Sequence, residues 1–152
     1  MAERYDVAGK VVLVTGPSRG IGAEAARQLY AKGAQVSLVG LEPELLAQRA
    51  EELGPRAAWF EADVTDTEAL ERAVAGTVER FGGIDVVIAN AGIAPVGTVA
   101  TIDPEAFERT IEINLLGVWR TVRAALPQVV ERRGYILPIA SLAAALHLPL
   151  MA

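Results

Sequence analysis

"KVVLVTGPSRGIG", Lys10 to Gly22, decides how this chain is read. Its first half, Lys10–Thr15, is a continuous apolar run of the kind that forms a strand buried on both faces. Its second half carries glycines at 16, 20 and 22, which allow positive φ and a close approach of a ligand to the backbone. A helix-length segment follows, from about Arg19 to Lys32, with Gly33 as its stop. The helix start offers unpaired N–H groups and the positive end of a helix dipole, a setting that suits a pyrophosphate. The spacing G-x-x-x-G-x-G is neither the common dinucleotide fingerprint G-x-G-x-x-G nor the P-loop, which needs G-K-[S/T]. Taken alone, Thr15–Gly22 favours a bound ligand, the alternative being a tight strand-to-helix turn with none.

Working outward, the same alternation repeats. "QVSLVG" (Gln35–Gly40) is a second strand, and Pro43 opens the helix "ELLAQRAEEL" ahead of Gly54. "RAAWFEADV" (Arg56–Val64) is a third strand. Thr65 and Glu68 have capping-box spacing, which predicts a helix running to Phe81 before Gly82-Gly83. "IDVVIAN" (Ile84–Asn90) is a fourth strand. Asp103-Pro104 starts a long helix reaching towards Pro127 or Arg133. "YILPIA" (Tyr135–Ala140) is a fifth strand, weakened by Pro138.

Strands that alternate with helices predict an α/β fold with a parallel sheet. Right-handed crossovers leave few topologies, and the order 3-2-1-4-5 puts the switch point between the first and fourth strands. Ligands bind at such a point, beyond the carboxyl ends of the strands. The turn after Thr15, Asp63, Asn90 and Ser141 all fall at those ends. Their convergence is the main pointer to function.

The bulk properties narrow the alternatives. A length of 152 residues predicts one domain, residues 1–152. With 52% hydrophobic and only 5% aromatic residues, its core must be built of Ala, Val, Leu and Ile. A net charge of −5 argues against nucleic-acid or anionic-membrane partners, which call for a basic field. The chain has no cysteine, which excludes disulfides, thiolate catalysis and cysteine zinc sites, and no metal site is expected. The N-terminus lacks the pattern of a signal peptide, and the apolar run from Ile136 to Ala152 is short for a membrane span and holds two prolines and a histidine. A cytoplasmic protein is expected.

Thr15-Gly16-x-x-x-Gly20-x-Gly22, Asp63-Val64, Asn90-Ala91-Gly92, Asn114 and Ser141 occur in the order and rough spacing of the short-chain dehydrogenases/reductases. The resemblance runs from about Val7 to the last residue, and its specificity lies in five weak motifs standing in register. It implies a Rossmann-type doubly wound parallel sheet, the later strands and helices of the family lying beyond the residues given. It further implies a nicotinamide cofactor, hydride transfer to or from a small-molecule carbonyl or alcohol, and a homo-oligomer.

On matching positions, the resemblance assigns Gly16, Ser18, Arg19, Gly20, Ile21 and Gly22 to the cofactor pyrophosphate and adenosine phosphate region. Asp63 and Val64 would contact adenine; the plain alternative for Asp63 is a loop or cap aspartate. Asn90, Ala91 and Gly92 would pass close to the adenosine ribose. Asn114, in "IEINLLG", would form a kink supporting a proton-relay water, or else be a satisfied core asparagine. Ser141 would be the catalytic serine bonded to the substrate oxygen. Lone His147 reads as a loop or pocket residue, and a serine-hydrolase triad is not in register. Gly40 and Leu41 stand where the family discriminates NAD from NADP; Glu42 favours NAD through the ribose hydroxyl, Arg19 favours a 2′-phosphate, and NAD is preferred here.

One family element is missing from these residues. The proton donor is a tyrosine in a Tyr-x-x-x-Lys pair, expected about two positions beyond Ala152. Tyr5, Tyr30 and Tyr135 have no lysine four residues on; the lysines are Lys10 and Lys32. A positioned general acid contributes about 10²–10⁴-fold, so the 152 residues alone are expected to turn over poorly and to be part of a longer enzyme. One face of the fourth and fifth strands should then be bare, and the fifth strand an open edge. Two other readings compete: a non-catalytic dinucleotide-binding module, and an interaction protein that keeps the fold with an empty site.

Overall fold

A computed structural model describes residues 5–144. Five parallel strands, β1 (Val11–Thr15), β2 (Gln35–Gly40), β3 (Ala57–Glu61), β4 (Val86–Ala89) and β5 (Tyr135–Pro138), lie in the order β3-β2-β1-β4-β5. This is the predicted doubly wound sheet. Helices α1 (Gly20–Ala31) and α2 (Pro43–Leu53) cover one face. The other face carries α3 (Thr67–Phe81) and α5 (Val118–Glu131). A short α4 (Pro104–Ile111) leads into α5 through a π-helical segment, Glu112–Gly117.

The period of two in the strands sorts side chains between two cores. Val12 and Val14 of β1, Val36 and Leu38 of β2, and Val86 and Ile88 of β4 meet Ala26 and Leu46 on the α1/α2 side. Leu13, Val39 and Val87 turn the other way, onto Leu70 and Ala73 of α3 and Ala125 and Val129 of α5. Every residue of β1 is buried because both faces are covered, which explains its unbroken apolar run. Ser37 is the polar exception in β2. Its hydroxyl lies 2.6 Å from Thr77 Oγ1, which donates to the Ala73 carbonyl at 2.8 Å, so the buried pair is satisfied and pins α3 to the sheet.

Several boundaries differ from the sequence expectation for local reasons. Helix α3 is capped by Asp66, whose carboxylate accepts from Ala69 N at 3.0 Å, and not by Thr65 in a box with Glu68. It stops where Gly82 enters the left-handed region. β3 is shorter than Arg56–Val64 because β2 ends at Gly40 and Asp63 folds back onto Thr65 N. β4 ends before Asn90, whose N–H is taken by the Thr15 hydroxyl. β5 stops at Pro138, a residue an edge strand tolerates. The long helix is interrupted at Glu112–Gly117 and then runs through Pro127 to Glu131, held by buried Ala125 and Val129.

At the amino ends of the strands, Asp85 is buried and accepts from Val11 N at 2.9 Å. Lys10 Nζ stands 3.3 Å and Arg132 Nη1 3.5 Å from its carboxylate. On the α1/α2 face, Tyr135 and Leu137 of β5 stay exposed, as does Ile139 just beyond it, while Ile136 packs into the opposite core. Tyr5 reaches Tyr135, their rings 6.3 Å apart.

Candidate functional site

The carboxyl ends of β1 and β4 are tied together by side chains drawn from the two motifs. Thr15, 1% exposed, accepts through Oγ1 from Asn90 N at 3.0 Å and from Ala91 N at 3.1 Å. Asn90 Nδ2 in turn donates to the Thr15 and Gly16 carbonyls, both at 3.0 Å. Four bonds thus hold the first turn against the fourth strand.

Glycine is required here on two grounds. Gly16 has φ +66°, and a Cβ on it would come within 2.9 Å of Ala91 Cα. Gly20 also has positive φ, but Gly22 does not. Gly22 is demanded by contact: a Cβ there would lie 2.4 Å from the Gly16 carbonyl and 2.5 Å from Asn90 Nδ2. The sequence-based reason, positive φ at all three, holds for the first two.

Above this floor opens a cleft of about 640 Å³. Gly16, Ser18, Arg19 and Ile21 line it from the turn and the start of α1, where no side chain caps the helix. Gly40, Leu41 and Glu42 line it from the end of β2, and Ala62, Asp63 and Val64 from the end of β3. Asn90, Ala91, Gly92 and Ile93 come from the end of β4, and Ile113 from the π segment. Ser18 is buried, and its carbonyl accepts from Arg49 Nε at 3.4 Å. Arg49 also pairs with Glu52, whose carboxyl is held below its ordinary range by bonds from Gln48 and Arg49. Ile21, Leu41 and Ile93 stand exposed on the rim. Arg19 and Glu42 form an ion pair within the cleft lining.

Asp63 spends one carboxylate oxygen on Thr65 N at 2.8 Å. Asn114 is exposed, not a core residue; its Oδ1 accepts from Ile93 N at 2.9 Å and its Nδ2 donates to the Ile93 carbonyl at 2.8 Å. It sits in the π segment Glu112–Gly117. Gly20 and Gly22 are not among the residues that line the cleft. Ser141 follows β5, is exposed, and accepts from Ala143 N at 3.1 Å; it and Asn114 are outside the lining. His147 lies outside the described residues.

Thr15, Ala62, Ile93 and Ile113 take part without a role that the sequence alone assigns. Thr15 stands in the sequence as a strand end and the first residue of the glycine motif, and its hydroxyl ties both motifs together; the signal is a polar residue closing a wholly apolar strand. Ile93 and Ile113 each adjoin a named motif, and only packing shows that they face the cleft.

The model of the short chain dehydrogenase family matches residues 10–152. The chain belongs to the short-chain dehydrogenase/reductase family. Trans-4-hydroxycyclohexanecarboxylate dehydrogenase of Sinomonas cyclohexanicum is 40% identical over 146 residues, covering 90% of this chain and 56% of its own. Short-chain dehydrogenase reductase 5 of Arabidopsis thaliana is 40% identical over 124 residues, covering 80% and 48%. An alcohol dehydrogenase from the archaeon Thermococcus sibiricus, solved with 5-hydroxy-NADP, superposes with TM-score 0.90 at 36% identity over 93% of this chain and 62% of its own. A 3-ketoacyl-(acyl-carrier-protein) reductase from Brucella melitensis, solved with NADH, gives TM-score 0.90 at 28% identity over 95% and 62%. The chain thus spans about half the length of the curated relatives it matches. No helix among the described residues is long and apolar enough to cross a membrane.

Proposed function

We propose that this chain is the cofactor-binding part of an NAD(P)-dependent oxidoreductase that moves hydride between a nicotinamide and a small carbonyl or alcohol substrate. The observation that supports it most is the cleft floor. Uncapped backbone at the start of α1 offers N–H groups to a diphosphate, and the left-handed Gly16 and close-packed Gly22 let the turn seat tightly enough on Asn90 and Ala91 to present them. When bound, the nicotinamide supplies or accepts the hydride.

Gly16, Ser18, Arg19, Gly20, Ile21 and Gly22 form the phosphate-facing turn in this reading, and Asp63 and Val64 flank the adenine. Asn90, Ala91 and Gly92 hold the ribose side, with Asn90 keeping the turn in place. Leu41 and Ile21 shield the bound dinucleotide from water. Ser141 orients the substrate oxygen, and the turn it caps sets its position at the end of β5. Asn114 holds the chain after β4 through Ile93, beside the path of the proton. Without the Tyr/Lys pair, these 152 residues taken alone turn over slowly or not at all. Glu42 holds Arg19, which favours NAD over NADP.

We extend the reading to self-association and location. Phe107, Ile111, Leu115, Trp119, Leu126 and Val130 are exposed along α4 and α5. A second copy packed on this apolar row by two-fold symmetry would cover it on both protomers. A cysteine-free chain suits the reducing cytoplasm.

Titration of the chain with NADH and NADPH, followed by calorimetry, tests the central reading. Saturable binding with micromolar dissociation constants, tighter for NADH, is expected. Absence of binding to either nucleotide refutes it.

A further inference from the structure

Gly117 closes the π segment with φ −62° and ψ −39°, an ordinary helical conformation that any residue adopts. Glycine in such a place costs about 1 kcal/mol against alanine, so its presence calls for a packing reason. The neighbour supplies one. A Cβ on Gly117 would stand 2.7 Å from Val64 Cγ2 and 3.1 Å from Val64 Cβ, closer than real side chains approach. Gly22 is a helical glycine of the same kind at the floor of the cleft, excluded from carrying a side chain by Gly16 and Asn90.

Val64 is nearly buried and is one of the cleft's walls. It follows β3 in a turn, whereas Gly117 is braced on a helix. Ile113, Gly117 and Thr121 are all buried, and the Thr121 hydroxyl donates to the Gly117 carbonyl at 2.8 Å. A methyl group added at 117 therefore presses on the Val64 side chain from a buried helix. Val64 is 7% exposed and lines the cleft, so the cleft is a side to which it can yield.

We infer that Gly117 is a positioning residue for the candidate site: by letting the helix backbone seat directly on Val64, it sets the width of the slot that takes a flat purine. The inference rests on the dinucleotide reading and adds to it a determinant remote in sequence from every cofactor motif. Gly117 touches no ligand. It acts by fixing how far Val64 projects.

The test measures the affinity of the full-length protein for ADP-ribose, a probe with the adenine end and no nicotinamide. Gly117→Ala should raise the dissociation constant about tenfold, the effect of one overpacked methyl relieved into the slot. In a Val64→Ala background the contact is gone, so adding Gly117→Ala should change affinity by less than about twofold. A tenfold loss that persists in that background overturns the inference, as does unchanged affinity in Gly117→Ala. Should Gly117→Ala not fold, Val64→Ile loads the same contact from the other side; it should weaken ADP-ribose in the same way, and unchanged affinity again overturns the inference. No binding by the unsubstituted protein overturns both the dinucleotide reading and this one, whereas binding that Gly117→Ala leaves intact removes only this one.

Discussion

Replacing Gly22 by alanine tests the geometry on which the site depends. The added methyl would sit 2.4 Å from the Gly16 carbonyl oxygen, where an ordinary contact needs about 3.4 Å, so something must move by ~1 Å. The atom in the way is backbone, and Asn90 Nδ2 stands at 2.5 Å on the same side. Relief therefore breaks the 3.0 Å bond from Asn90 to the Gly16 carbonyl. Overpacking of this kind costs about 1–3 kcal/mol and the lost hydrogen bond about 1, against a gain of about 1 from better helix propensity. A net loss near 2 kcal/mol lowers the melting temperature by about 6 °C in a domain of this size. A shift of ~1 Å at the diphosphate turn should also weaken NADH by tenfold or more. Gly40→Ala is the control for stability, because a Cβ there meets Leu46 and Pro17 at an ordinary 3.6 Å and should change stability by less than about 0.5 kcal/mol. Thermal unfolding followed by circular dichroism, with NADH titration of each variant, reads both effects. If Gly22→Ala melts at or above the parent temperature, helix propensity outweighs the contact and the close-packing argument is wrong.

Three other outcomes follow from the same geometry. Glu42→Gln frees Arg19 and removes a negative charge from the cleft lining; a charge a few ångströms from a 2′-phosphate is worth about 1–2 kcal/mol near the surface, so the NADPH-to-NADH affinity ratio should rise about tenfold, and an unmoved ratio rejects Glu42 as the discriminator. Asp85→Asn leaves Lys10 and Arg132 without their buried partner and should cost about 2 kcal/mol in chemical denaturation. Because Asp85 lies at the end of the sheet away from the cleft, NADH affinity should be unchanged, and a parallel loss of affinity would contradict that separation. Bonds from Arg27 and then Gln28 lower the Glu24 carboxyl to about 2, which an NMR carboxyl titration should reproduce. The stability this depressed group contributes is present above the ordinary value of 4.5 and lost as pH falls towards 2, so Glu24→Gln should matter at pH 6 and vanish as a difference at pH 2.

Much of this molecule was legible before any coordinate. The apolar run at Val11–Val14, the strand-forming run at Gln35–Gly40, the stops at Gly33 and Gly54, and the starts at Pro43 and Asp103-Pro104 are local events, decided by side-chain hydrophobicity and backbone freedom within a few residues. Once the elements alternate, the handedness of crossovers leaves few sheet orders, and the expected 3-2-1-4-5 is the order found. Register of the motifs was enough to gather Gly16, Asp63 and Asn90 at one end of the sheet, since strands of a parallel sheet end on the same side.

Tertiary structure decided what depends on atoms far apart in sequence. The cap of α3 passed from Thr65 to Asp66 because the chain leaving β3 first folds Asp63 onto Thr65 N. The π segment that divides the long helix has no local signature, and only packing reveals it. Why Gly22 and Gly117 are glycine cannot be read from their own conformations; the reasons are a carbonyl six residues back and a valine on another strand's end. Distance along the chain hides such contacts, because excluded volume acts between surfaces that meet only after the sheet has formed.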